Sequence, residues 1–388
     1  MKLKSAADML LGKAVAAGAV PGVVAMAADR EGVIYEGAFG ERALGSGQAM
    51  TQGTVGWIAS MTKAITSVAA VQLVERGQLD LDAPASRIVP AIAAAQVLTG
   101  FDAAGNPQTR PPRRPVTLRH LLTHSAGFGY ELFNTDIQKV QAAWGLPGII
   151  ECKEASLKTP LLFDPGERWE YGINIDWAGK MVEAVSGHKL GAYLQENLLG
   201  PLGMTSTAFR ITPEMRERLA AMHMRGADGA LAQMDFEIPQ QPEIEGAGHG
   251  LYSTAGDYLA FLRMILNGGQ LGGERVLKPE SVNMLAINQM GSNRVTFMNS
   301  ATPLSNSAEF FPGVAKSWSL AFQINLEKVF TGRAAGGLMW AGLCNSYYWI
   351  DPASGVAGVY LTQILPFGDV KSLPLYLDFE TAVYDSLG

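Results

Sequence analysis

Strand-like segments occur at both ends of this chain and almost nowhere between, and that distribution limits the folds open to it. Residues 23–28 and 33–39 are apolar runs separated by a turn at 29–32, the pattern of a β-hairpin. A shorter strand at 55–59 runs straight into Ser60. Late in the chain, 317–326, 334–340, 345–350 and 356–363 form successive β-rich stretches, with a turn at 351–355. The middle reads as helix, with pieces near 116–123, 137–144, 175–186 and 189–198 joined by Pro- and Gly-rich connectors. Helices are also expected at 5–18, 61–75 and about 369–386. In the second of these, Ile65, Val68, Val71, Leu73 and Val74 recur at helical spacing, and Gly77 ends it.

The economical arrangement is an α/β fold of the α+β type. Both chain ends, 1–80 and 240–388, would build an antiparallel sheet flanked by helices, and 81–239 would be an inserted, mainly helical domain. A pocket is expected where the two parts meet. At 388 residues and 48% hydrophobic, the chain suffices for one large core or two packed ones.

Composition removes several function classes. A formal net charge of −6 does not attract phosphate backbones, so no nucleic-acid partner is expected. The densest basic cluster, Arg110, Arg113, Arg114 and Arg119, sits among prolines without aromatics and reads as a solvated loop. No stretch of some 18 uncharged apolar residues suggests a membrane span, and no apolar run follows the basic start. Cys152 and Cys344 fit neither a metal spacing nor a disulfide framework, which favours a reducing, cytoplasmic location. His120, His124, His188, His223 and His249 show no metal-binding spacing and are expected to be structural, so neither metal nor cofactor is expected. Nothing specifies an oligomeric state.

Ser60-Met61-Thr62-Lys63 is an S-x-x-K sequence at the start of an apolar helix. Residues three apart share a helix face, so Lys63 can reach the Ser60 hydroxyl, and a serine nucleophile needs such a base. The pattern alone is weak: Ser186-Gly187-His188-Lys189 also matches, but Ser186 closes a helix whereas Ser60 opens one. Tyr171 follows the Asp164-Pro165-Gly166 turn, and a tyrosine there can project into a cleft. Positive charge from Lys63 would be needed to make it a base. Trp340-Ala341-Gly342-Leu343 lies on a late strand. Its small residues would let substrate lie alongside, with the Ser60 and Leu343 N–H groups as the oxyanion hole.

In their order and spacing, Ser60–Lys63, Tyr171 and Trp340–Gly342 resemble the family VIII carboxylesterases, which are similar to class C β-lactamases and penicillin-recognising D,D-peptidases. The stretch from Leu118 to Phe128, the Asp164 turn, Pro201-Leu202-Gly203-Met204 and Gly250-Leu251-Tyr252-Ser253-Thr254 also fit. Residues 100–106 and 171–180 look similar to fungal statin-pathway acyltransferases. Two departures matter. The β-lactamase tyrosine motif is usually Tyr-x-Asn, whereas Asn174 here comes one place late. The usual Lys-Thr-Gly is here Trp340-Ala341-Gly342, which removes a charge-assisted contact to a substrate carboxylate.

The resemblance thus implies a serine carboxylesterase acting on small to medium, short-chain acyl esters through an acyl-enzyme on Ser60. Lys63 or Tyr171 would be the primary base, the two titrating as a pair. The partner would be a small-molecule ester, with Trp340, Gly342, Phe128, Tyr130 and Asn174 as substrate-binding residues. The alternatives are an acyltransferase of secondary metabolism, β-lactam or D-amino-acid peptide hydrolysis, and a non-catalytic binding protein on the same fold.

Overall fold

The computed structural model describes residues 2–387. Its main sheet has seven antiparallel strands: β1 (Gly22–Asp29), β2 (Val33–Gly40), β3 (Lys316–Trp318), β4 (Gln323–Asn325), β5 (Leu338–Gly342), β6 (Ser346–Asp351) and β7 (Val356–Leu361). They lie in the order β3-β4-β5-β6-β7-β1-β2. The N-terminal hairpin is therefore stitched to the C-terminal strands through β1 and β7, with Val24 opposite Leu361. The two chain ends share one sheet, as their strand patterns predict. Strand β1 is apolar at nearly every position because both faces are covered. The helices are α1 (Lys2–Ala16), α2 (Thr62–Glu75), α3 (Asn174–Ser186), α4 (Ala255–Leu266) and α5 (Ser372–Leu387). Helix α4 packs on β1 and β7, and α1 packs with α5.

Several details differ from the sequence-based expectation. The stretch 317–326 is two strands, β3 and β4, because the Ser319 hydroxyl accepts the N–H groups of Ala321 and Phe322 and closes a turn there. The strand before Ser60 covers only Val55–Trp57 and pairs with Tyr252–Thr254, outside the main sheet. Helix α4 was not expected, although Thr254 caps it by accepting from the Asp257 N–H. The middle of the chain also holds two hairpins, Val97–Phe101 with Pro107–Arg110 and Met222–Arg225 with Leu231–Met234. Met222–Arg225 pairs in parallel with Ile364–Leu365, a contact that crosses the expected boundary at residue 239.

The arginine cluster is not simply solvated. Arg110 grips Asp164 through two nitrogens at 3.0 and 2.6 Å, and the Arg113 N–H donates to the same carboxylate at 2.7 Å. The Arg110 guanidinium holds the Asp164 carboxyl down at about 2. Arg119 pairs with Asp82. The cluster therefore fixes the 164–166 turn, which delivers Tyr171.

Strand β5 is pinned from the opposite side. Arg333, in the connection leading to β5, meets Glu380 of α5 with Nε and Oε1 2.9 Å apart, both side chains fully buried. Removing one partner leaves the other charge buried and alone. Glu380→Ala is expected to cost about 3–5 kcal/mol of folding stability. Denaturant unfolding measures this, and a loss under about 1 kcal/mol would contradict it.

Candidate active site

Ser60 is placed by a strand–turn–helix junction. The chain leaves Trp57, turns at Ile58 and Ala59, and enters α2 through a short 3-10 turn at Ala59–Met61. Ala59 has φ +45°, a left-handed conformation that costs a residue with a Cβ about 1–2 kcal/mol. Strained backbone of this kind is held by its surroundings. Here β5 supplies them: a Cβ on Gly342 would fall 2.5 Å from the Ile58 carbonyl oxygen. Gly342 thus lets β5 lie directly behind the nucleophile turn, besides lining the cavity.

Lys63, one turn into α2, is 1% exposed. Its Nζ lies 3.1 Å from Ser60 Oγ, 3.0 Å from the Tyr130 hydroxyl and 2.7 Å from the Gly248 carbonyl. Burial pulls its pKa well below the ordinary lysine value, and the Asp176 charge opposes that pull. Tyr171 is also buried, and Lys63 Nζ lies 4.7 Å from its ring centre. Burial raises the Tyr171 pKa, while hydrogen bonds with Ser60 and Trp340 act the other way. Trp340 meets this oxygen directly, its indole N–H donating to Tyr171 at 2.9 Å. The position where β-lactamases usually carry a lysine is therefore filled by a neutral donor.

The aromatic neighbours of Tyr171 fix its ring. Trp340, His124 and Tyr130 have ring centres 4.9, 5.0 and 5.3 Å away, and Trp169 stacks at 6.1 Å.

Two expected binding residues lie outside the cavity. The Phe128 side chain is fully buried and stacks on Trp177, so it is core. It is the Phe128 backbone that matters, since its carbonyl lies where a side chain on Gly172 would be. The Asn174 amide is buried too, donating to that same carbonyl at 3.1 Å and contacting His124 Nδ1 at 3.2 Å. It braces the loop behind Tyr171. Tyr130 does reach the cavity, but its hydroxyl is bound to Lys63.

An open cavity of about 490 Å³ lies over these groups. Ser60, Tyr130, Tyr171, Trp340, Gly342 and Leu343 line it, joined by Trp57, Leu132, Phe133, Ile149, Ile150, Met298 and Phe367. No lysine or arginine belongs to that lining. His249 is in the wall, so one of the five histidines lies at the site rather than only in the scaffold. Met298, Phe367, Gly248 and Asp176 were not found from sequence. The last two had no local motif, since Gly248 is 185 residues from Lys63.

Tyr171 depends on its neighbour. A Cβ on Gly172 would fall 2.1 Å from the Phe128 carbonyl oxygen, a backbone atom that cannot swing aside. Gly172→Ala is expected to cost about 1–3 kcal/mol and to lower kcat more than tenfold by displacing Tyr171. Unfolding and steady-state kinetics together check this, and an unchanged kcat in the variant would refute it.

The beta-lactamase family model matches residues 7–382. Monacolin J acid methylbutanoyltransferase of Aspergillus terreus is 34% identical over 390 residues, covering 96% of this chain and 93% of that protein. Lovastatin esterase of Penicillium rubens is 35% identical over 385 residues, covering 94% of each. The solved structure of unliganded simvastatin synthase from Aspergillus terreus has a TM-score of 0.83 at 30% identity, covering 100% of this chain and 99% of that one. EstCE1, described as a hydrolase with promiscuous acyltransferase activity, shares the fold with a TM-score of 0.78 at 21% identity, covering 99% of this chain and 98% of that one. With matches over nearly its whole length, the chain belongs to the beta-lactamase family, among its serine hydrolases and acyltransferases.

Proposed function

We propose that this protein is an acyltransferase that takes an acyl group from a hydrophobic ester onto Ser60 and passes it to an alcohol, with water as a competing acceptor. The observation that carries this reading is the seating of Ser60, Lys63 and Tyr171 together at an apolar cavity whose lining has no cation. A cavity of about 490 Å³ is in the usual range for small-molecule sites and accommodates an alcohol with a hydrocarbon body. Burying such a body contributes about 25 cal/mol per Å² of apolar surface, an advantage water does not have. The methylbutanoyltransferase likeness supports alcohol as the acceptor. The lovastatin esterase likeness supports hydrolysis as a second reading. The lack of a lysine at position 340 disfavours carboxylate-bearing β-lactams.

The shifts divide the proton work. Burial makes Lys63 an amine that loses its proton readily, whereas burial keeps the Tyr171 phenol protonated. Lys63 accordingly takes the Ser60 proton as Oγ attacks the ester carbonyl. The N–H groups of Ser60 and Leu343 face the developing oxyanion. As the tetrahedral intermediate collapses, Tyr171 gives its proton to the departing alkoxide and is reprotonated from Lys63. The second half runs in reverse: the acceptor gives its proton to this pair, attacks acyl-Ser60, and the Ser60 alkoxide leaves protonated.

An active-serine phosphonate is expected to label Ser60, and Ser60→Ala to abolish turnover. With a short-chain ester and a rising concentration of an apolar alcohol, the product should shift from acid to new ester. Labelling of Ser186 instead would overturn the nucleophile, and acid alone at every alcohol concentration would leave hydrolysis as the function.

A base must be deprotonated to act, so kcat/KM should rise with pH through the Lys63 ionisation. Because burial lowers that value, the rise belongs well below the ordinary lysine pKa of about 10.4. Lys63→Met should lose about 10²–10⁴ in kcat/KM together with the acid limb. A pH–rate profile checks both, and an acid limb near 10 would exclude Lys63 as the base.

A further inference from the structure

Asp176 stands in the first turn of α3 with its side chain 1% exposed. Its Oδ1 accepts the Gly248 N–H at 2.9 Å. The carbonyl of that same glycine accepts from Lys63 Nζ at 2.7 Å. One residue's two peptide groups therefore separate a buried amine from a buried carboxylate. Gly248 has no room for a side chain, since a Cβ would fall 2.7 Å from Asp176 Oδ2 and 2.9 Å from the Tyr130 hydroxyl. Asp176 Oδ2 and Tyr130 thus crowd one point, and Tyr130 in turn accepts from Lys63.

Asp176 lacks an ordinary partner. Its Oδ2 has no hydrogen bond among the described residues, and its one basic contact within ion-pair range is His249 Nδ1 at 3.9 Å. Burial pushes that imidazole down to about 3, so it carries no charge at neutral pH. The other groups that face this pair are accounted for. His124 is held neutral by burial, Cys152 is pushed up to about 12 by burial and stays a thiol, and Tyr130 and Tyr171 stay protonated. Glu131 is the second nearby carboxyl, and one of its oxygens is occupied by the Ile149 N–H.

We propose that Asp176 is a positioning residue for acyl transfer, its carboxylate acting across Gly248 and beside Tyr130 as the counter-charge that seats Lys63 and sets the pH at which it takes the Ser60 proton. This rests on Lys63 being the base. A negative charge near Lys63 favours the ammonium form, so losing it must make the amine easier to deprotonate.

Asp176→Asn keeps the size of the side chain and an oxygen for the Gly248 N–H. In that variant the acid limb of kcat/KM, measured with a chromogenic ester, should move to lower pH by about one unit. The pH dependence of phosphonate labelling at Ser60 should move with it. A purely structural role would lower the rate at every pH and leave the limb in place, and that result overturns the proposal. Should the variant not fold, carbon NMR of the wild-type protein labelled at lysine Cε and aspartate Cγ decides instead. Lys63 and Asp176 resonances that inflect together support the pair, and independent inflections overturn it. Failure of the wild-type protein to label at Ser60 would sink the catalytic reading itself, whereas normal labelling with an unmoved limb sinks this inference alone.

Discussion

The burial of one amine organises this site. Lys63 is surrounded by Ser60 Oγ, the Tyr130 hydroxyl and the Gly248 carbonyl, and none of these is an anion. An ammonium has three N–H donors and three acceptors are present. A neutral amine has two donors and a lone pair. Gly248 and Tyr130 can take two donors in either state, which leaves the third direction to Ser60. There the nitrogen donates when charged and accepts when neutral. The same geometry therefore satisfies both protonation states, and the proton can cross between Ser60 and Lys63 with little rearrangement. Such preorganisation is where much of an enzyme's electrostatic advantage lies.

Trp340 extends this economy of charge. A lysine there would have added a cation beside Tyr171 and a receptor for a substrate carboxylate. The indole N–H keeps the tyrosine oxygen oriented at 2.9 Å without bringing a charge, and the ring joins the aromatic packing around Tyr171. The cavity can then be apolar right up to the reacting groups. A neutral ester is desolvated cheaply in such a place, and an anionic substrate is not.

The parts of this arrangement that were legible in the sequence are those written in short-range pattern. The hairpin at the N terminus, the late strands and α2 announce themselves by period and by turn residues. Ser60 and Lys63 are one helical turn apart, so their meeting follows from helix geometry alone. Phe128 and Asn174 misled because an aromatic-rich loop and a near-match to a motif say nothing about which atoms face inward. In the folded chain the Phe128 carbonyl, not its ring, borders the tyrosine loop. Arg110 and Arg113 read as solvated because their partner, Asp164, is more than fifty residues away. Helix α4 carried a legible Thr254 cap and apolar repeat, yet its start overlaps a stretch that reads equally well as strand, Tyr252–Thr254. Gly248 and Asp176 had no such local signal. Their roles exist only once α3 and the 246–250 segment are brought against α2.

Whether acyl-Ser60 meets an alcohol or water is a matter for the cavity walls rather than the catalytic pair. The proton path through Lys63 and Tyr171 is the same for either acceptor, so neither residue discriminates. The walls that can discriminate come largely from loops, and these loops are tied to each other. The Ala301 N–H donates to the Leu132 carbonyl, Gln138 donates to the Ala301 carbonyl, and the Asn306 N–H donates to the Phe367 carbonyl. Leu132, Phe367 and Met298 are thus held by a segment around 298–308 that makes none of the hydrogen bonds to Ser60, Lys63 or Tyr171 described above. The shape of the acceptor pocket can change there while the nucleophile, its base and its proton donor stay in register. On that separation, esterases and acyltransferases of one family can share a single catalytic core.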